Sequence, residues 1–451
     1  MTVRNMTEGN PIRLILSVAL PLMVGNIFQQ LYTVVDAQIV GSVEGVSALA
    51  ALGASDWFNW LFLGIIQGIA QGFTIPMAQA FGAEDYASLR RYVGNAVLLA
   101  ASTGIAITAV ALISIPHVLS LLQTPSSIRP LSTRYLTVLF SGLPFVMAYN
   151  LMAGILRSLG DGRSPLYAMI VAAAVNIGLD LLFVAVYGWG VTGAAVATVI
   201  AQAASCLLCL RRLRQIAFLR LSGEDLRFSS AICARLLALG LPVAAQNAVI
   251  AIGGMIVQRI VNAISVTFIA GYTATNKLYG VLEIAAISYG YATSTYAGQN
   301  LGAQKIARIR KGVRAAGLTG IVTAAAIAAL MFLFGRGLIA SFISGAADEV
   351  TQSVAIGCEY LYLMSAFLPV LYLLHIYRSA LQGMGRTVMP MVSGLVEFVM
   401  RTGAAFFLPG LIGYRGVFWA EILAWLGATV ILVTSYLHFF ASRHAKGMAG
   451  D

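Results

Sequence analysis

Apolar runs of about twenty residues or more dominate the chain, set apart by short segments rich in charge, Gly and Pro. They lie near residues 11–40, 55–81, 92–115, 131–156, 165–187 and 190–210, then 236–261, 272–300, 313–334, 354–380, 388–410 and 416–440. None alternates with period two, and each far exceeds the roughly 9–11 residues of a barrel strand. Helices are the remaining way to satisfy a backbone surrounded by lipid. The pattern therefore predicts an all-α integral membrane protein with twelve transmembrane helices.

Composition points the same way. A chain of 451 residues would suggest about three soluble domains, but 59% of it is hydrophobic and only 10% is charged, against roughly 25% charged in soluble domains. Too few polar side chains remain to cover a water-facing surface, which excludes a soluble globular protein, a disordered chain and a nucleic-acid binder. The net charge of +11 is instead expected beside anionic headgroups. Lys and Arg are unevenly placed. One set of alternate segments holds 21 of them, including Arg90, Arg91, Arg211, Arg212, Lys305, Arg310, Lys311, Arg314, Arg378, Arg443 and Lys446; the other holds Arg129, Arg134, Arg336 and Arg415. That bias predicts that both termini of a multi-pass plasma-membrane protein are cytoplasmic. The first ten residues are polar and no small-residue cleavage site follows, so no removable signal peptide is expected. Cys206, Cys209, Cys233 and Cys358 are too few for a disulfide framework, and His117, His375, His438 and His444 are scattered, so a zinc site is not expected.

The chain repeats itself. AQAFGAEDYASLRRYVGNAVLLA (78–100) matches GQNLGAQKIARIRKGVRAAGLTG (298–320), aligning Gln79 with Gln299, Gly82 with Gly302 and Arg90 with Arg310. Gly160-Asp-Gly-Arg-Ser164 similarly matches Gly383-Met-Gly-Arg-Thr387. The halves are read as an N-terminal six-helix lobe (1–215), a cytoplasmic linker (216–235) and a C-terminal six-helix lobe (236–451). An even number of spans gives the two lobes the same orientation, and a cleft between two like-oriented lobes suits alternating access.

Ionisable residues within spans are the strongest functional signal, because a charge at the bilayer centre costs about 2.5–3.5 kcal/mol or more unless paired or solvated. They are Asp36, Asp180, Glu283, Glu397, Arg401 and Glu421. Asp36 follows Pro21, which cannot donate to the helix ladder and is expected to bend the first span. Asn176 and Asp180, four apart, share one helix face, where they can converge with Asp36 and the Thr198 hydroxyl. Oxygen-only ligands suit a hard cation, and two adjacent carboxyl groups suit a shared proton, so these residues do not separate Na⁺ from H⁺. Independent local polar contacts for Asp36 and Asp180 are the bland alternative.

Together LYTVVDAQIVG (31–41), Pro21 fifteen residues before Asp36, VNIGLD (175–180), the GDGRSP loop and the twofold repeat resemble the multidrug and toxic compound extrusion (MATE) family over essentially the whole chain. QQLY (29–32) is similar to the MepA-type bacterial exporters of that family. The resemblance implies the MATE fold of the MOP superfamily, with efflux of cationic amphipathic compounds against inward Na⁺ or H⁺. It implies a cation site at Asp36, Asn176, Asp180 and Thr198, and bending of the first span at Pro21 during the cycle.

The second copy lacks this chemistry: Asn176 falls on Val399, Asp180 on Gly403 and Thr198 on Glu421. Glu397 and Arg401 are i, i+4 and predict an internal ion pair. Tyr32, Tyr149, Glu283 and Tyr289 are candidates to line a substrate cavity, against the plainer reading that such aromatics are packing or interfacial residues. No Walker-type G-x-x-x-x-G-K-[ST] is present, so energy is expected from an ion gradient rather than ATP. The expected protein is a secondary antiporter and not an enzyme. It would need no cofactor beyond Na⁺ or H⁺, and its partners would be small organic cations and membrane lipid, with no nucleic acid, acting as a monomer. The alternatives are a lipid-linked precursor flippase of the same superfamily and a membrane-embedded lipid-modifying enzyme.

Overall fold

The computed structural model describes residues 3–44, 46–121, 124–343 and 347–448; the side chains of Arg443, His444 and Lys446 fall outside that description. Helices account for nearly all of it, with no strand among the described residues. In order they are α1 (Pro11–Glu44), α2 (Val46–Gly82), α3 (Tyr86–Leu121), α4 (Arg129–Ser141), α5 (Leu143–Ser158), α6 (Arg163–Asp180), α7 (Gly190–Arg214), α8 (Ser230–Asn262), α9 (Val266–Gly302), α10 (Ile306–Ser341), α11 (Ala347–Gly383), α12 (Val388–Phe407), α13 (Pro409–Ile412) and α14 (Arg415–Met448). Most outrun their apolar stretches at both ends, because helices continue past the hydrocarbon into polar flanks that hydropathy leaves out.

Among the described residues, ten helices are long and apolar enough to cross a membrane, and the pair α4 and α5, bent by 44°, makes an eleventh. The run at 131–156 is thus a broken span. Pro144, at the start of α5, has no N–H to carry the ladder across Gly142. The twelfth expected span, 272–300, is present as α9, but its Thr, Tyr, Ser and Asn positions keep it out of the apolar set. Those hydroxyls are satisfied by helix carbonyls: Ser288 Oγ donates to Ile284 O (2.8 Å) and Thr293 Oγ1 to Tyr289 O (2.7 Å) within α9, and Thr275 Oγ1 donates across to Gly357 O of α11 (2.8 Å). A polar helix is tolerated where its side chains bond back to carbonyls.

The chain divides into two compact units. The first comprises Met1–Glu8, Ser17–Ala248 and Gly298–Lys305; the second comprises Gly9–Leu16, Val249–Ala297 and Ile306–Asp451. In the first unit α2, α3, α4, α5 and α7 pack against one another around Phe58, Phe62 and Phe140, whose ring centroids lie 5.1–5.3 Å apart. The repeated motifs also meet here: a methyl group added at Gly82 would overlap Gln299 O, and one at Gly302 would overlap Gln79 O. Gln299 ties in the N-terminal segment, accepting from Met6 N (2.7 Å) and donating to Ser158 O (2.8 Å). The segment between α7 and α8 lies on α3. There Asp225 faces Arg90 at 3.7 Å, and hydrogen bonds from Ser222, with Arg90 and Arg91 nearby, hold its carboxyl below the usual range.

In the second unit α12 packs along α14, and α10 and α14 flank α11. Stacked rings fill the core: Tyr272 on Tyr360 (5.1 Å) and Tyr360 on Phe418 (4.6 Å). Arg378, expected in a cytoplasmic loop, is instead 6% exposed inside α11. Its position five residues before the Gly383 turn disguised it as a loop cation.

Small residues let α2 touch the first half of α8, where a methyl group added at Gly72 would overlap Gly240 Cα. Backbone cannot give way as a side chain can, so Gly72→Ala is expected to cost about 1–3 kcal/mol, as overpacking does. Thermal unfolding of the purified protein should show a lowered Tm for Gly72→Ala and no loss for Gly53→Ala, which has open space around it and gains helix propensity.

Candidate functional site

The polar residues of the first unit are held by three helices. Asp36 lies on α1, which runs unbroken through Pro21. A Cβ at Gly25 would lie 3.1 Å from Met169 Sδ, so α1 rests on α6 just past the proline. Asn176 and Asp180 stand one turn apart at the end of α6, and Thr198 is on α7, which packs along α6. Directly after Asp180 the backbone widens into a π-helical stretch, Leu181–Val186. Such insertions are costly and frequent at functional sites.

The structure brings all four together. Asn176 Nδ2 donates to Thr198 Oγ1 at 3.4 Å, and the Asp36 and Asp180 carboxyl groups approach within hydrogen-bonding reach of each other. Asn176 and Asp180 are fully buried and Asp36 is 8% exposed. What they lack is a donor. Asp36 Oδ1, Asn176 Oδ1 and both Asp180 oxygens are buried without a hydrogen-bond partner, as is Gln202 Oε1 of α7. Among the described residues, neither Asp36 nor Asp180 is ion-paired with Lys, Arg or His. Unpartnered acceptors cost several kcal/mol each in an apolar medium, and facing carboxylates repel. A proton or an oxygen-seeking cation removes both penalties.

Tyr32, a candidate cavity residue, lies beside this cluster, as do Gln202, Tyr135 and Asp56, which the sequence reading does not single out. Tyr32, one turn before Asp36, lies within hydrogen-bonding reach of Gln29 and Gln202. Tyr135 of α4 and the exposed Asp56 of α2 lie within electrostatic reach of Asp36. Asp56 was legible as an acid in an apolar run. Tyr135 and Gln202 carried no distinguishing signal, since lone Tyr and Gln are ordinary near membrane interfaces.

The second unit holds its charges differently. Glu397 receives Arg378 Nη2 at 2.5 Å and Arg401 Nη2 at 3.2 Å; Arg401 Nη2 also reaches Glu421 Oε1 at 2.7 Å, which accepts from Trp425 Nε1 at 3.1 Å. The expected Glu397–Arg401 contact is thus the middle of a four-charge chain linking α11, α12 and α14. Glu283 lies 3.4 Å from His375 Nε2. Tyr289 is fully buried, its hydroxyl 3.0 Å from Thr323 Oγ1, and Tyr149 packs beside the first unit's core. The Tyr289 ring is thus enclosed, whereas Tyr149 is half-buried.

Fold and site together define a multi-pass helical membrane protein with a buried, donor-poor acidic site. The family model MatE matches residues 21–182 and 242–407, and the chain belongs to that family. It is 27% identical to "Probable multidrug resistance protein YpnP" of Bacillus subtilis over 92% of this chain and 93% of that protein. It is 20% identical to "Multidrug export protein MepA" of Staphylococcus saprophyticus over 90% of this chain and 89% of the other. The fold matches the structure described as "Outward-facing conformation of a multidrug resistance MATE family transporter of the MOP superfamily" with a TM-score of 0.90, at 21% identity, over 98% and 99% of the two chains.

Removing one member of the buried chain leaves its partners uncompensated. Arg401→Met is expected to destabilise the protein by about 3–5 kcal/mol, measured by denaturant unfolding in detergent. The double variant Arg401→Met/Glu421→Gln should recover part of that loss.

Proposed function

We propose that the protein is a secondary antiporter that exports cationic amphipathic organic compounds in exchange for Na⁺ or H⁺. The observation that carries this reading is the buried set of unpartnered acceptors on Asp36, Asn176 and Asp180. A site with surplus acceptors and no basic partner attracts a small cation or proton from the medium, and the bilayer offers no other source of donors. The names of the relatives, multidrug export and multidrug resistance proteins, support efflux as the transported direction.

In this mechanism, occupancy neutralises the Asp36 and Asp180 pair and lets α1 settle against α6. Loss of the ion restores repulsion between the carboxylates and pushes the Asp36 end of α1 away. Pro21 supplies the weak point about which α1 bends, since its ring removes one ladder bond, and the π-helical stretch after Asp180 gives α6 a second yielding point. A cationic solute and the coupling ion then compete for the same negative field, which links their binding in opposite senses. Both termini lie in the cytoplasm, the chain acts as a monomer, and no cofactor takes part.

Everted vesicles containing the protein, loaded separately with a Na⁺ gradient or a pH gradient, test the reading. A fluorescent cationic dye should accumulate with one of the two gradients, and Asp36→Asn should lower the initial rate at least about a hundredfold with insertion unchanged, as loss of a group essential to coupling does. Gradient-driven uptake that persists in Asp36→Asn would overturn the assignment of this site.

A further inference from the structure

The two copies of the repeat treat the same basic groove differently. In the first copy, Arg90, Arg91, Gly94 and Asn95 lie along the start of α3, and the segment between α7 and α8 covers all but the exposed Arg91. Arg90 Nη1 donates to Phe218 O at 3.3 Å and its Nε lies 3.7 Å from Asp225 Oδ2. A methyl group at Gly94 would overlap Asp225 O. Asn95 donates to Arg227 O (3.3 Å) and accepts from Ser229 N (2.8 Å). The chain itself thus supplies an anion and a lid.

The corresponding residues of the second copy are Arg310, Lys311, Arg314 and Ala315 on α10, and all four line an open cavity of about 820 Å³ walled by Phe440 of α14. The three cations are exposed, and none is ion-paired with a carboxylate among the described residues. The Arg310 guanidinium sits over the Phe440 ring, 4.6 Å from its centroid. Tyr436, its ring tilted against Phe440 with centroids 4.8 Å apart and within electrostatic reach of Arg310 and Arg314, is 6% exposed, and its hydroxyl has no partner among the described residues. Beyond Arg314 the same helix face turns apolar and outward, with Leu318 61% and Val322 62% exposed.

We infer that this cavity binds an anionic phospholipid, with its phosphate held by Arg310, Lys311 and Arg314 and its acyl chains lying along Leu318 and Val322. Three clustered cations without a carboxylate match a phosphate-bearing headgroup. The apolar strip that continues from the cations favours a lipid over a free phosphate, which would leave it uncovered. In the first copy the Asp225 segment takes the place that the lipid takes in the second.

Native mass spectrometry of the full-length protein in detergent, titrated with phosphatidylglycerol, phosphatidylcholine or inorganic phosphate, tests this. Phosphatidylglycerol should bind the wild type well ahead of the other two. R310Q/K311Q/R314Q should weaken it about a hundredfold, at roughly fivefold for each cation removed. R211Q/R214Q/R220Q, which removes the same charge from exposed sites elsewhere, should leave binding unchanged. Ala315→Trp keeps every charge but fills the cavity, and it should also weaken phosphatidylglycerol, which decides the question if the triple variant does not fold. Equal losses in both triple variants, equal affinity for phosphatidylcholine, or inorganic phosphate binding as tightly as the lipid would overturn the inference.

Discussion

Two carboxyl groups, on Asp36 and Asp180, face each other inside a helical bundle where, among the described residues, no donor reaches Asp180. In water this arrangement would matter little, because solvent would supply protons and hydrogen bonds. In a protein whose outer solvent is lipid it is a standing penalty, and only something from outside the chain removes it. The placement of α1 and α6 against each other, the proline within α1 and the π-helical stretch after Asp180 all bear on how that penalty is relieved. A close-packed core resists such adjustment; in the proposed cycle the points that yield, Pro21 and the π-helical stretch, lie on the two helices that carry the acids.

The second unit shows the opposite solution to the same problem. Its buried Glu397 and half-buried Glu421 are met by Arg378, Arg401 and Trp425, so these charges are neutralised within the unit. Chains of this kind contribute little net stability over apolar packing, but losing one member is costly. They hold α11, α12 and α14 in one register. The repeat has thus kept its helices while dividing its chemistry: one copy carries an incomplete acceptor site, the other a closed electrostatic one.

The helices were legible because hydropathy over long runs is insensitive to detail, and the acceptor residues because an acid in an apolar span is rare. The break at Gly142 was not, since it depends on where Pro144 falls relative to the ladder inside one continuous apolar run. Arg378 was misplaced for a related reason: near a helix end, sequence does not reveal whether a cation turns into the bundle or out to water. Tyr135 and Gln202 reach the acidic cluster only through the packing of α4 and α7 in the first unit, and local spacing carries no trace of that.

In the proposed function, Asp36 and Asp180 share a proton or a cation. Difference infrared spectroscopy of the reconstituted protein, comparing Na⁺ with K⁺ and then low with high pH, reads the carboxylic-acid carbonyl stretch directly. The account predicts a band that responds to Na⁺ or to pH and disappears in both Asp36→Asn and Asp180→Asn. A spectrum with no responsive carboxylic-acid band, or one whose band persists in both variants, would contradict it.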